Sequence, residues 1–590
     1  MGGHLSHLKP EHHTNIFLAS CGPVRGNLYR HGEKTVDGFL GIPYAKPPVG
    51  ELRFKKPILA DVWTEPRDCT QYGPRCPSSG MFYEKIDLKN QDIPDEANCL
   101  TLNVFRPNWQ SREYIKRPVM VFIHGGGFEL CASKDYCDYS LTGTLPLKDV
   151  VVVSINYRLG ALGFFSTGDK VCPGNFALWD QTLALEWVQK HIKSFGGDPN
   201  NVTVFGQSAG GVSVDLLSLS PHSRGFHISN RKKHDFHSDL FHKIIPMSGS
   251  AHVPFAIRTS SNQAEVGLEY ARNKGFTGSG TFVGSHPLLS EFFLGSSELF
   301  EFMRNLPTEK LLERTGFEHS ASGMVSFGPN LDGDFFPKPL DELREEASKK
   351  SALIGMTEHE GLLFGKLLLN FLFKITSVFA SAFTDPSFTT ADVVLKKKIK
   401  MEYKEDVVDN PEEICKEILD YYMNFNNESN EKKLVAYTGD SIFNAGVLLA
   451  AESLAAHGNS VYLYVFDYCN PDGFGPLGGI LPFKVPTHCT DLRYILGEGV
   501  YSKFDPNEEE LKMMDYMTTV FTNFAKYGNP NVSDSTKWEK YEVDQISRHF
   551  HITSPENEMR NEFHRGRCQF SMETNKRNKS YQKIFFDKNI

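Results

Sequence analysis

The sequence is poor in several features that would define a class. Cysteine is sparse, at 11 in 590 residues. That is too thin for a small fold stapled by disulfides. Glycine at 49 and proline at 32 are near average use, which excludes collagen-like and low-complexity chains. There is no excess of positive charge. Lys and Arg number 63 against 72 Asp and Glu, a net charge of −9. No broad basic field exists to hold nucleic acid. No repeat of fixed period is visible, which argues against solenoids and propellers.

Long apolar runs are also scarce. The N-terminus, MGGHLSHLKPEHHTNIFLAS, is interrupted by His4, His7, Lys9, Pro10, Glu11, His12 and His13. A secretory signal needs an unbroken apolar run of roughly 7–15 residues, so the expectation is a cytoplasmic protein. The most apolar stretch, Leu362–Phe383, carries Lys366, Asn370 and Lys374. These are costly in lipid, and the stretch reads as a buried or half-buried helix rather than a membrane span. The first six residues, Met1 to Ser6, fit the pattern for N-myristoylation and make Gly2 a candidate lipidation site. One such chain would give only weak membrane association.

What is present is an ordinary globular composition, 40% hydrophobic and 23% charged. Short apolar runs rich in β-branched residues alternate with helical patterns. Val119–Ile123, Val150–Ile155, Val202–Phe205, Lys243–Met247, Ala352–Ile354 and Val461–Phe466 read as buried strands. Trp179–Phe195 reads as a helix, and 256–320 and 362–460 as mainly helical excursions. Continuous apolar strands alternating with helices predict an α/β fold with a large, mostly parallel sheet covered on both faces. The expected organisation is a disordered start at 1–18, one domain over 19–558 and a polar tail over 559–590. The tail is expected to be poorly ordered.

Two motifs carry the chemistry. Gly206-Gln207-Ser208-Ala209-Gly210-Gly211 follows the strand Val202–Phe205 and opens a helical pattern. Glycines there allow a tight strand-to-helix turn that lifts a serine side chain clear of the sheet. The helix N-terminus favours negative charge beside it. His124-Gly125-Gly126-Gly127-Phe128 follows the strand Val119–Ile123. Successive glycines leave backbone N–H groups unhindered, as acyl transfer requires for its oxyanion. Gly126, Gly127 and Ala209 are the natural donor set. No Cys/His grouping has convincing metal spacing, so neither a metal nor an organic cofactor is expected.

These residues resemble the type-B carboxylesterase and cholinesterase family of α/β-hydrolases. The resemblance runs from about residue 20 to 545. It is carried by FLGIPYAKPPVGELRF (39–54), NCLTLNVFRP (98–107), SINYRLGALGFF (154–165), FGGDPNNVTVFGQSAGG (195–211) and TNFAKYGNPN (522–531). Just before Cys99, Ala97-Asn98 stands where the family usually has Glu-Asp. GQSAGG and HCTDLRYILG are most similar to nematode carboxylesterases. The resemblance implies a serine nucleophile, then an acid, then a histidine in chain order. Ser208 is the implied nucleophile. Glu360, in Thr357-Glu358-His359-Glu360-Gly361, is the implied acid, with Glu358 its near competitor. His488, in His488-Cys489-Thr490-Asp491-Leu492-Arg493-Tyr494, is the implied base, with Cys489 where glycine is usual.

The resemblance also narrows substrate and redox state. It implies a disulfide between Cys69 and Cys99, in a loop where cholinesterases carry a tryptophan for the cationic head group. No Trp lies between these cysteines; Phe82 and Tyr83 are aromatics there, with Tyr72 near Cys69. Gln207 is neutral where many relatives carry Glu. Phe255 closes the acyl-pocket segment Ser248–Phe255 where cholinesterases have Trp. The implied activity is that of a serine carboxylic ester hydrolase acting on neutral, small-molecule esters through an acyl-enzyme. A non-catalytic, neuroligin-like binding protein and a juvenile-hormone-esterase-like hydrolase are the alternatives. The family's second disulfide has no Cys near 260–290. Without a signal the first pair is expected to be reduced. Finally, 225–238 reads as an extra basic, His-rich loop, in which a metal site at His227, His234 and His237 is a remote option.

Overall fold

The computed structural model describes residues 9–78, 93–224, 239–278, 289–313, 326–364, 391–425, 427–479, 481–499, 504–531, 537–553 and 556–587. Gly2, Phe82, Tyr83, the segment 225–238 with its three histidines, and most of the apolar stretch 362–383 lie outside these residues.

A twelve-stranded sheet organises the molecule. Its strands are β1 (His12–His13), β2 (Asn27–His31), β3 (Lys34–Pro43), β4 (Thr101–Pro107), β5 (Arg117–Ile123), β6 (Val151–Ile155), β7 (Gly197–Gln207), β8 (Lys243–Met247), β9 (Ser351–Thr357), β10 (Val461–Phe466), β11 (His549–Ile552) and β12 (Glu558–Arg560). The spatial order is β1-β2-β3-β4-β6-β5-β7-β8-β9-β10-β11-β12. From β6 to β11 every neighbouring pair is parallel. The edges are antiparallel. All six strands expected from the sequence lie in the parallel centre. The antiparallel edges, which alternate less cleanly, were not anticipated.

The central stretches of the parallel strands β5 to β10 are largely apolar because both faces are covered. In β5, Val119, Val121 and Ile123 face one core with helices α1 (Phe176–His191) and α2 (Ala209–Leu219). Met120 and Phe122 face a second core. Helix α4 (Glu508–Tyr527) lies in that second core with Met513, Met517, Phe521 and Phe524; helix α3 (Ala445–Ala456) lies in the first with Val447, Leu448 and Ala450. The helical run Asn430–Ala456 is long and apolar enough to cross a membrane, yet it is buried within the protein.

The segment after Arg560 departs from expectation. It is ordered, forming α5 (Arg567–Lys576) and α6 (Lys579–Phe586). Cys568, Met572, Ile584 and Phe585 enter the main core. The Lys-rich face hides this pattern in the sequence. Asn578 caps α6 by accepting from the N–H groups of Ser580 (2.9 Å) and Tyr581 (3.2 Å). At the other end, β1 pairs with β2 and Phe17 packs near Phe39, so part of 1–18 is also structured.

The disulfide differs as well. Cys76, not Cys69, bonds to Cys99. Cys69 is a free thiol in the core. The backbone explains the choice. Cys69 is held by the N-terminal strands, its N–H donating to the Arg25 carbonyl and its carbonyl accepting from Leu40, each at 2.7 Å. Asn156 instead donates to the carbonyls of both Pro74 (3.0 Å) and Cys99 (3.1 Å), drawing Cys76 beside Cys99. The shorter loop 76–99 also contains no Trp.

Candidate active site

The site lies at the carboxyl ends of the parallel strands, where open α/β sheets place their crevices. Ser208 sits between β7 and α2 with φ 60° and ψ −126°. A non-glycine residue in this region is strained. The turn is held by the Ser208 N–H donating to Met247 (2.9 Å) and by Val212 N–H donating to the Ser208 carbonyl (2.9 Å). Gly206 is required by close approach: a Cβ there would lie 2.6 Å from the Gly210 carbonyl carbon and the Ile123 carbonyl oxygen.

The glycine loop leaves β5 beside this elbow. Tyr157 Oη donates to the His124 carbonyl at 2.8 Å, and the two rings stack at 4.4 Å. The chain then passes through left-handed conformations at Gly126 (φ 100°) and Gly127 (φ 62°). The loop closes by N–H groups of Glu129 (3.0 Å) and Leu130 (2.9 Å) donating to the Gly126 carbonyl. Among the described residues, the N–H groups of Gly126, Gly127 and Ala209 donate to no protein acceptor. Three unspent donors around a serine are what an oxyanion needs.

Glu360 lies just beyond β9 and is fully buried. Its Oε2 accepts from His488 Nδ1 at 2.5 Å, and its Oε1 accepts from Ser248 Oγ (2.6 Å) and Thr357 N–H (2.8 Å). Burial opposes its charge, but His488 and these donors outweigh it and hold the carboxyl below its ordinary value. Glu358 turns elsewhere: its Oε2 lies 3.6 Å from His564 Nδ1. The competition between the two glutamates is thus resolved by their partners.

His488 is buried. Its ring stacks on Phe443 at 4.3 Å and meets the edge of Phe364 at 5.1 Å. Gln207, next to Ser208, donates from Nε2 toward His488 Nε2 at 3.2 Å, bringing the imidazole to the elbow. Cys489 Sγ donates to Gln207 Oε1 at 3.1 Å. Burial disfavours the imidazolium, but Cys489 and Glu360 outweigh it and raise His488 above its ordinary value. Asp491 was not singled out by the sequence reading. Its carboxyl is buried with no hydrogen-bond partner among the described residues. Burial, then the charge of Glu360, push it up to about 7.

The structure brings together Ser208, Glu360, His488, Gly126, Gly127 and Ala209. Ser248 is legible in the sequence only as part of the acyl segment, not as a donor to Glu360. Its signal is weak, because a serine 112 residues from the acid carries no local pattern. Among the described residues no His/Cys/Asp/Glu group is arranged to hold a metal.

The chain is similar to known proteins along nearly its whole length. Residues 13–571 match the carboxylesterase family. The chain is 53% identical to the esterase cest-33 of Caenorhabditis elegans, over all of this chain and 99% of that one. It is 31% identical to a medium-chain fatty acyl-CoA hydrolase precursor of Anas platyrhynchos, over 90% of this chain and 87% of that one. It is 30% identical to acetylcholinesterase-1 of Trittame loki, over 90% and 89%. With a strand-borne serine elbow, a glycine loop of free donors and a family match over nearly its whole length, the chain belongs to the carboxylesterase family and is a serine carboxylesterase.

Proposed function

We propose that Ser208, His488 and Glu360 form the catalytic triad and that the substrates are neutral carboxylic esters. The observation that carries this is the bond from His488 Nδ1 to Glu360 Oε2, with Nε2 facing the elbow beside Gln207. An Nδ1–H donated to Glu360 leaves Nε2 as the basic nitrogen, and the Gln207 amide that donates to it yields that lone pair to the Ser208 hydroxyl for proton transfer. Ser208 attacks the ester carbonyl, and the oxyanion is held by the N–H groups of Gly126, Gly127 and Ala209. His488 returns the proton to the leaving alcohol, giving an acyl-enzyme. Water, deprotonated by His488, then releases the acid.

Neutral substrates are favoured by the walls. Phe364 and Phe443 line the His488 side, and Phe255 packs edge-on against Phe443 at 5.8 Å. The neutral Gln207 supplies no counter-charge for a cation. Similar identity to an acyl-CoA hydrolase and to a cholinesterase leaves the choice to these residues. Purified protein is expected to hydrolyse p-nitrophenyl butyrate with a kcat/KM at least about tenfold above that for butyrylthiocholine. An organophosphate is expected to label Ser208. Equal or better use of the choline ester would overturn the substrate reading, and absence of labelling would overturn the triad. Myristoylation at Gly2 remains part of the proposal; mass analysis of the N-terminal peptide tests it, and a retained Met1 would refute it.

A further inference from the structure

The C-terminal segment touches the back of the site at three separate places. First, His564 Nδ1 lies 3.6 Å from Glu358 Oε2, two residues before Glu360. His564 and Arg565 are consecutive non-glycine residues in the left-handed region (φ 44° and 56°). Such strain persists only where surrounding structure enforces it. Second, Arg567 Nε donates to Asp440 Oδ2 at 2.8 Å. Asp440 begins the π-turn Asp440–Asn444, and Asn444 Nδ2 donates to Asp440 Oδ1 at 2.8 Å. That turn presents Phe443, the ring stacked on His488. Third, Tyr581 Oη lies 2.9 Å from His252 Nδ1, and Phe585 stacks on the same ring at 4.3 Å. His252 belongs to Ser248–Phe255, whose Ser248 donates to Glu360.

Each of these contacts reaches a neighbour of the acid–base pair, and none reaches the nucleophile elbow. We infer that the segment Phe563–Phe586 is a positioning strap for Glu360 and His488, acting through His564, Arg567 and Tyr581. It is not merely a cover for the core. Backbone bonds hold the main chain here, since the π-turn lies within the helical run Asn430–Ala456 and the N–H groups of Ser248 and Glu358 donate to Gly355 (2.8 Å) and Phe466 (2.9 Å), but they do not fix side chains to the sub-ångström tolerance that proton transfer demands. The strap supplies that restraint from a part of the chain distant in sequence. The family match ends at residue 571, so α6 lies beyond it.

This inference rests on the triad reading above. The test measures kcat, KM and the rate constant for organophosphate labelling in the full chain. His564→Gln and Arg567→Ala are each expected to lower kcat and the labelling rate about tenfold or more, with KM within about twofold. Arg567→Lys keeps a cation for Asp440 and is expected to recover most of the loss. Tyr581→Phe keeps the ring and loses only the hydroxyl, so it folds; a drop in kcat of about two- to threefold is expected. A lower melting temperature with unchanged kcat and labelling rate in His564→Gln and Tyr581→Phe would overturn the strap while leaving the esterase intact. A wild-type protein that is never labelled at Ser208 would remove the triad reading, and the strap with it.

Discussion

The nucleophile half of the site runs through one continuous stretch, and from Val202 to Ser220 every residue is buried. Its geometry comes from backbone: a strand, a glycine-framed turn and a helix. The acid–base half is assembled from Glu360 and His488, 128 residues apart, with Ser248 from another loop and Gln207 from the elbow. Its geometry comes from side-chain hydrogen bonds and stacked rings. A backbone-built half tolerates side-chain changes around it but not added Cβ atoms. A side-chain-built half should respond to every partner that is removed.

Predictions that break or sharpen this contrast can be ranked. Ser208→Ala should lose about 10⁶ in kcat and all organophosphate labelling. Thermal melts should change little, because the turn is held by hydrogen bonds of its backbone. Glu360→Gln should lose about 10⁴ in kcat, since it removes the group that holds the imidazole tautomer. It should also alter stability in acid. A carboxyl held below its ordinary value contributes stability above its unfolded value, and loses it as pH falls through its folded value. Melts of wild type and Glu360→Gln across acidic pH would show a weaker dependence in the variant, which keeps the other lowered carboxyls such as Glu358 and Asp334.

Gly126→Ala strikes the other half. Its added Cβ would lie 2.7 Å from the Leu130 carbonyl carbon in a left-handed backbone. The loop must shift, and the loss of one oxyanion donor should cost about 10²–10³ in kcat. Unchanged kcat would remove Gly126 from the oxyanion hole. The smallest effect concerns pH. His488 is raised, so it stays protonated to a pH above the ordinary imidazole value, and kcat/KM should climb with a midpoint above 6.5. Cys489→Gly removes one cause of the rise and should lower that midpoint. The same shift makes protonated His488 stabilising below its unfolded value, a contribution lost as pH rises through its folded value.

Legibility in the sequence followed the same division. Ser208 and the glycine loop could be read because their neighbours in sequence are their neighbours in space. Glu360 and His488 could be ranked only by resemblance, and only the fold, which sets Glu358 beside His564, separates the two glutamates. Cys69 looked like the partner of Cys99, but a thiol's partner depends on which loop Asn156 draws inward. The tail looked solvated because its lysines and arginines together outnumber the few apolar residues that dock it. Asp491 gave no signal, since its burial without a partner is a property of the folded interior.

Sequence by itself determined the parallel centre of the sheet, the strand-to-helix serine turn and the loop of unhindered N–H donors. These follow from side-chain periodicity and from the conformational range of residues within a few positions of one another. Tertiary structure decided which glutamate meets the histidine, which cysteine closes the disulfide, and that the last two helices brace the site. Those outcomes depend on where separate loops meet in space, which local backbone preferences do not specify.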